Sequence, residues 1–163
     1  MTSLSHSHTT NSTWGSIGSS IPLVLCWSPL QTETLVVGRQ DGVVDVLGPK
    51  KHRILQLIGS PVRALAYTTD ANLLIAGNDA GRLCVFDVNR KVPVLVNHVN
   101  EAHTSWILDI QAIDARRFVT VGTDRQIRIW KVGQMTKLHS FRLDETVWSL
   151  DIYENRMVAG SET

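Results

Sequence analysis

Cysteine is scarce in this chain, and long apolar runs are absent from it. Its 163 residues include only Cys26 and Cys84, which fall at different positions in predicted strands of different units. A disulfide framework is therefore not expected, and a reducing compartment, cytoplasmic or nuclear, is favoured. No apolar run approaches the roughly 18 residues that a membrane-spanning helix requires, so no span is predicted.

An excess of charge of either sign is also lacking. There are 16 Lys and Arg against 15 Asp and Glu, which gives a formal net charge of +1. Bulk electrostatics thus favour neither a nucleic-acid nor a membrane surface, and we expect no direct binding to either. The short basic run Lys50-Lys51-His52-Arg53 could contact RNA or phosphate. It has no neighbouring aromatic residue for base stacking, so a solvated loop is the favoured interpretation.

The sequence patterns of common enzymes are missing as well. No clustered carboxylates, histidine-rich metal spacing or phosphate loop occur, so we expect no enzymatic activity, no cofactor and no metal. His6 and His8 could offer only two metal ligands. They belong to residues 1–20, a polar stretch rich in Ser and Thr without the apolar core of a signal peptide, which predicts a disordered tail.

What the chain does contain is an internal repeat. Residues 38–47, 77–86 and 121–130 end in similar strands, whose last apolar residues lie 39 and 44 positions apart. The strands that open the units lie 40, 45 and 40 positions apart and are centred on Leu25, Leu65, Ile110 and Leu150. A period of about 40–45 residues with several short strands per unit predicts a WD-type β-propeller. A β-sandwich is the alternative, and the period argues against it.

The strands of each unit can be predicted from alternating apolar runs and turn signals. First strands are predicted at 23–27, 62–67, 107–110 and 147–150; second strands at 35–37, 73–76, 118–121 and 157–159; and third strands at 43–47, 82–86 and 126–130. The linkers 50–59, 91–103 and 131–144 should each hold an outer fourth strand, most clearly at 138–141.

The predicted organisation is a tail, residues 1–20, followed by a partial all-β propeller, residues 21–163, of about three and a half four-stranded blades. The blades are expected at 21–59, 60–101, 102–143 and 144–163, with the last one incomplete. Propellers normally close their ring, and an open stack leaves apolar blade faces in water. We therefore expect a fragment, which could be non-functional, a truncated gene model, or a ring completed by another copy.

One set of polar residues in the third unit predicts a buried hydrogen-bonded network. In a WD blade, residues at these positions converge so that the Asp carboxylate holds the imidazole, while the hydroxyl and the indole N–H complete the set. The four are His103, Thr120, Asp124 and Trp130. A hydrolase triad of His, Thr and Asp is the alternative, but the threonine is predicted inside a strand rather than in a cleft. The second unit lacks the set, with Ile58 for the histidine, Ala80 for the aspartate and Phe86 for the tryptophan, and the fourth has Leu143 for the histidine.

A second set of residues predicts a surface for partners, here called the rim. Trp106 follows the loop that leads into the first strand of its blade, at the end of a propeller where partners usually dock, and tryptophan is a common hot-spot residue. Packing between blades is an equally good interpretation of Trp106. The other members of the rim, placed by alignment, are Pro61, Thr146, Gln40, Asp79 and Thr123. Trp27 and Trp148 are instead predicted to pack in the core.

The residues also resemble a particular family. Residues 60–88, which begin Ser60-Pro-Val-Arg-Ala-Leu-Ala-Tyr67, look like one blade of the WD-repeat subunit of the superkiller complex. The stretch Ala102-His-Thr-Ser-Trp-Ile-Leu-Asp-Ile110 and residues 124–132 and 147–160 agree with that family, so the likeness covers residues 21–163 and is to a C-terminal part of such a propeller.

The resemblance implies a scaffold that performs no chemistry. Members of the family hold a helical-repeat protein and an RNA helicase together for 3′-to-5′ decay of mRNA by the exosome in the cytoplasm. They also belong to the polymerase-associated-factor complex, which travels with elongating RNA polymerase II in the nucleus. A WD-repeat adaptor of another assembly, in trafficking or signalling, is the alternative.

Overall fold

A computed structural model describes residues 19–31, 33–48, 51–56, 59–154 and 156–161. Fourteen strands make up this part of the chain: β1 Pro22–Trp27, β2 Leu35–Arg39, β3 Val43–Gly48, β4 Lys51–Gln56, β5 Val62–Tyr67, β6 Leu73–Asn78, β7 Leu83–Asp87, β8 Val94–Val99, β9 Ile107–Ala112, β10 Arg117–Gly122, β11 Gln126–Lys131, β12 Thr136–Arg142, β13 Val147–Tyr153 and β14 Arg156–Ser161. No helix that could cross a membrane occurs among these residues. Almost all of the predicted tail, together with Ile58, lies outside them.

The strands form four antiparallel sheets that follow chain order. Three sheets have four strands, β1–β4, β5–β8 and β9–β12, and the last described sheet pairs β13 with β14. The outer fourth strands predicted in the three linkers are present as β4, β8 and β12. Consecutive strands are neighbours in each sheet, so the chain zigzags from the innermost to the outermost strand before it enters the next sheet.

The core lies between successive sheets, because each strand alternates its side chains between two faces. In β7 of the second sheet, Cys84 and Phe86 belong to a cluster shared with the first sheet, whereas Leu83 and Val85 belong to a cluster shared with the third. A third cluster joins the third sheet to β13. The three inner strands of the second sheet, β5 to β7, are thus buried on both faces, as blades stacked side by side require, whereas the outer strand β8 is mostly exposed.

The same irregularity recurs at the start of every innermost strand. The pairing register shifts between Pro22 and Val24, between Val62 and Ala64, and between Val147 and Ser149, and likewise where β9 meets β10. In each case the second residue of the strand is the extra one: Leu23, Arg63, Leu108 and Trp148. A bulge re-aims its side chain out of the regular alternation, so these four equivalent residues are placed beside the strand entrances.

The prediction that Trp27 and Trp148 pack in the core was wrong. Trp27 is 56% exposed and Trp148 is 46% exposed. Trp148 occupies the bulge of a sheet with only two described strands, which is why it escapes burial. Trp27 ends β1 on the face that points away from the second sheet, since its neighbours Val24 and Cys26 take the face that packs against that sheet.

Candidate functional site

The four network residues of the third blade meet in one chain of hydrogen bonds, here called the His103 network. The indole Nε1 of Trp130 lies 2.9 Å from Thr120 Oγ1, Thr120 Oγ1 lies 2.7 Å from His103 Nε2, and His103 Nδ1 lies 2.8 Å from Asp124 Oδ1. His103 and Thr120 are almost completely buried, and the ring of Trp130 stacks on that of Phe118. The network occupies the interface between the second and third blades, within the core cluster that they share.

The chemistry of the donors fixes the tautomer of His103. An indole N–H can only donate, so Thr120 Oγ1 accepts from Trp130 and has its own proton to give. That proton goes to His103 Nε2, which must accept, and the remaining ring proton on Nδ1 is donated to the carboxylate of Asp124. In this series of three hydrogen bonds, every donor faces an acceptor when the imidazole is neutral. A second ring proton on Nε2 would face the hydroxyl proton of Thr120.

The pKa values agree with this arrangement. Burial is the main cause that lowers the pKa of His103 below its ordinary value, and the hydrogen bond and charge of Asp124 offset only part of that effect. Burial alone would raise the pKa of Asp124, but the hydrogen bond from His103, the amide of Thr104 and the charge of Arg128 lower it overall. The neutral imidazole and the ionised carboxylate are therefore the stable forms at neutral pH.

Two further residues that the sequence analysis missed support the network. Arg128 is buried; its Nη1 lies 3.1 Å from Asp124 Oδ2 and also donates to the carbonyl oxygen of Ala102, which precedes His103. Gly122 lies directly beneath the imidazole, and a Cβ there would come within 2.6 Å of His103 Nδ1. Glycine at that position follows from the presence of the ring above it.

These contacts exclude the triad interpretation of His103, Thr120 and Asp124. The threonine hydroxyl already accepts a hydrogen bond from Trp130, and the residue has no exposed surface from which it could reach a substrate. A nucleophile needs an approach for the atom it attacks. The described residues contain no group of three or more His, Cys, Asp or Glu that could hold a metal ion.

The rim residues lie at the ends of the blades where the innermost strands begin and the second strands end. Repeated backbone hydrogen bonds hold them in pairs: the amide of Asp79 donates to the carbonyl of Pro61, and the amide of Thr123 donates to the carbonyl of Trp106. The equivalent bond in the first blade runs from Gln40 to Ile21 rather than to another rim residue. Thr146 stands half-buried just before β13.

A charged residue that the sequence analysis missed joins two members of the rim across a blade boundary. The guanidinium carbon of Arg63 lies 4.5 Å from the centre of the Trp106 ring, which is a cation–π contact. Arg63 Nε is 2.6 Å from Asp79 Oδ1. Trp106 remains 43% exposed, so it does not pack away between the blades. Arg63 is the bulged residue of β5, and its spacing of 40 and 45 positions from Leu23 and Leu108 was a signal available in the sequence.

Comparison with a protein-family model now adds to this geometry. Residues 95–131 match the model described as WD domain, G-beta repeat. The chain carries a WD40 repeat. The match begins in β8 and ends with the last residue of β11, so it contains His103, Thr120, Asp124 and Trp130.

A curated relative supports the WD-repeat assignment. Human WD repeat-containing protein 81 is 26% identical over 101 residues, which cover 61% of this chain and 5% of that protein. This WD-repeat chain therefore matches only a small fraction of that relative's length.

Solved structures establish the fold. Sqt1 of Chaetomium thermophilum, at 20% identity, superposes with a TM-score of 0.72 over 83% of this chain and 40% of that chain. A structure of the same protein bound to the N-terminus of ribosomal protein L10, at 21% identity, gives 0.73 over 83% and 39%. The computationally designed protein Ika4, at 21% identity, gives 0.76 over 89% and 88%. The prediction of an all-β propeller is confirmed, and the described residues form three four-stranded blades and one two-stranded blade.

Proposed function

We propose that this WD-repeat chain is a non-enzymatic scaffold that binds a segment of a partner protein at its rim, with Trp106 as the anchor. The observation that carries the proposal is the cluster of Trp106, Arg63 and Asp79, which combines a large exposed ring with a cation and a carboxylate. A fold does not by itself specify a function, so the function is argued from this surface patch.

The cluster is held ready for a partner before binding. The carbonyl of Trp106 is fixed by Thr123, its ring is covered on one side by Arg63, and Arg63 is itself held by Asp79. Because the indole is ordered in the free protein, binding to it sacrifices little side-chain entropy. Large, rigid and half-exposed tryptophans of this kind are enriched among the residues that dominate interface energies.

The solved complex of Sqt1 supports the kind of ligand proposed. That protein, which shares the fold of this chain, was crystallised with the N-terminus of ribosomal protein L10. A propeller of this shape can therefore hold one segment of another protein, and we infer that the rim here takes such a segment.

Replacement of Trp106 tests the rim. Trp106→Ala should lose most of the proteins that co-purify with the tagged chain, while its melting temperature stays within about 2 °C of the parent, because the lost ring is half-exposed. Tyr153→Ala, which removes an aromatic ring 74% exposed at the opposite end of β13, is the matched control and should retain the partners. A marked fall in melting temperature for Trp106→Ala would instead make this ring part of the structural core.

The assembly that we propose is the superkiller complex, with a helical-repeat protein and an RNA helicase as partners in exosome-linked mRNA decay in the cytoplasm, and a second role in transcription elongation in the nucleus. The support is the resemblance of residues 60–88 and 102–110 to the WD-repeat subunit of that complex. The second candidate is an adaptor of a different multiprotein assembly, because the 26% identity to human WD repeat-containing protein 81 supports a WD-repeat protein without specifying the complex that it joins.

Mass spectrometry of proteins that co-purify with the chain, tagged at its own locus, separates the two. Recovery of a helical-repeat scaffold and an RNA helicase would support the decay role. Recovery of an unrelated set, lost in Trp106→Ala and retained in Tyr153→Ala, would support the adaptor and leave the rim proposal intact.

A further inference from the structure

The basic run noted in the sequence sends one side chain into a cleft between the first and second blades. Arg53 lies in the outer strand β4, opposite Val46 of β3. Its Nη1 crosses to the second blade, where it lies 2.7 Å from the carbonyl oxygen of Val88 and 3.1 Å from that of Arg90. These two bonds fix the guanidinium beside the connection between β7 and β8 of the second blade, at the end of the blades opposite the rim.

The positive charge of Arg53 is not neutralised by the groups that hold it. Both of its acceptors are neutral carbonyl groups, and its Nε is buried without a hydrogen-bond partner. Within the described part of the chain, no carboxylate pairs with Arg53 or with the exposed Lys91. A half-buried cation that lacks a counter-charge makes the binding of an anion favourable, because the desolvation of the cation has already occurred on folding.

Further cations and amides converge on the same cavity, here called the basic cleft. Its volume is about 490 Å³, and its walls come from the first and second blades: Gln31, Thr34, Val46, Gly48, Arg53, Val88, Asn89, Arg90 and Lys91. Arg90 is paired with Asp87 at 2.8 Å, so the three cations Arg53, Arg90 and Lys91 leave two positive charges unbalanced. The side-chain amide of Gln31, in the first blade, donates across the cleft to Asn89 Oδ1, in the second blade, at 3.4 Å.

The charge and size of the cleft indicate its ligand. We propose that the basic cleft binds a phosphorylated serine or threonine in an extended segment of a partner protein. A phosphate monoester carries a charge of about −1.5 to −2 at neutral pH and matches the two unbalanced positive charges better than a single carboxylate does.

The surroundings of the cleft favour a peptide over a small phosphate compound. The volume of about 490 Å³ exceeds what one phosphate group fills, so the cleft has room for the residues that flank a phosphorylated side chain. The strand β4, which carries Arg53, is the outermost strand of its sheet, and the backbone groups on its free edge can pair with an extended segment.

Titration of the full chain with two short peptides tests the proposal. One is acetyl-Gly-Ala-phosphoserine-Ala-Gly-amide, and the other has serine in place of phosphoserine. We expect the phosphopeptide to shift the backbone amide resonances of Arg53, Asn89, Arg90 and Lys91, and the serine peptide to leave them in place. Lys91→Glu should weaken phosphopeptide binding about tenfold or more, because it replaces a charge-assisted contact by repulsion. The exposed Arg116, in the third blade, provides the matched control, since Arg116→Glu makes the same charge change outside the cleft and should alter affinity by less than about twofold.

Several results would overturn the proposal. They are equal weakening by Lys91→Glu and Arg116→Glu, equal shifts by the two peptides, and no shift at these residues up to about millimolar phosphopeptide, a concentration at which even weak specific binding is visible. Binding of inorganic phosphate or inositol hexakisphosphate more tightly than the phosphopeptide would also overturn it, because a phosphate site without a peptide component would then be present. Arg53→Lys, which keeps the charge but not the fork across the blades, should bind more weakly than the parent while folding normally.

Discussion

Asp124→Ala is the substitution that tests the His103 network most directly, because this carboxylate is the acceptor on which the network ends. Its Oδ1 accepts from His103 Nδ1 at 2.8 Å and from the amide of Gln126 at 3.2 Å. Its Oδ2 accepts from the amide of Thr104 at 3.2 Å and lies 3.1 Å from Arg128 Nη1. Alanine leaves all four donors without this partner.

The cost depends on which of these donors water can reach. The His103 ring is 1% exposed, so its Nδ1–H would remain buried and unpaired, at about 1–3 kcal/mol. Thr104 is exposed and Gln126 is half-buried, so water can replace the carboxylate at those amides with little loss. Arg128 keeps the carbonyl of Ala102 but loses its only described counter-charge, which adds about 1 kcal/mol. The sum predicts a loss of roughly 2–4 kcal/mol in the free energy of unfolding.

Urea denaturation followed by tryptophan fluorescence measures this loss, with an unchanged denaturant slope showing that the same surface unfolds. Asp124→Asn is the matched control. Its amide oxygen can still accept from His103, so it should lose no more than about half as much. The reasoning fails if Asp124→Ala unfolds within about 0.5 kcal/mol of the parent, or if the asparagine and alanine variants are equally unstable.

Three further outcomes follow from the same geometry. Because burial lowers the pKa of His103, the imidazole takes up a proton at higher pH in the unfolded chain than in the folded one. The urea midpoint should therefore fall as the pH drops below about 6.5, and His103→Asn should remove that part of the pH dependence. Gly81 has φ +74°, and a Cβ there would strike the carbonyl oxygen of His103, so Gly81→Ala should cost roughly 3 kcal/mol or more in the free energy of unfolding. Gly59 has a similar φ of +79° but no atom within 4 Å of the added Cβ, so Gly59→Ala is the control and should cost only about 1 kcal/mol in the same denaturation. Thr120→Val should cost about 1–3 kcal/mol in the same denaturation, because it leaves the buried indole N–H of Trp130 without an acceptor. Thr123→Val makes the same side-chain change at a hydroxyl that forms no hydrogen bond, and it is the control.

Much of the fold could be predicted from the sequence because its signal is repeated. The centres of the first strands, such as Leu25, and the last apolar residues of the third strands, such as Leu47, are two independent sets of positions. Both recur with one period of about 40–45 residues. Each predicted strand was therefore supported by its equivalents in other units. The outer strands could be inferred even where their own pattern was weak, because a four-stranded unit needs a chain of that length to return to the centre.

The surface could be predicted less well, because it depends on how neighbouring blades meet. Trp106 was placed on the rim by its position after the loop that leads into its blade. Its partner Arg63 is on another blade and occupies a bulge that only the pairing register reveals. The position of Arg53 depends in the same way on the packing of the first blade against the second. Trp27 and Trp148 were misjudged because alternation shows that a strand has two faces, but not whether a neighbouring blade covers each of them.

The second and third blades show why the network need not be repeated in every unit. In the third blade the imidazole lies over Gly122, so no side chain fits there, and Asp124 must cap the turn through the amide of Gln126. The second blade has Asn78 at the position of Gly122, and its Oδ1 accepts from the amides of Ala80 and Arg82. Ala80 can then stand where the third blade needs an aspartate. The two blades are alternative solutions to one requirement, the capping of a tight turn, and a histidine beside the turn decides which solution the sequence must use.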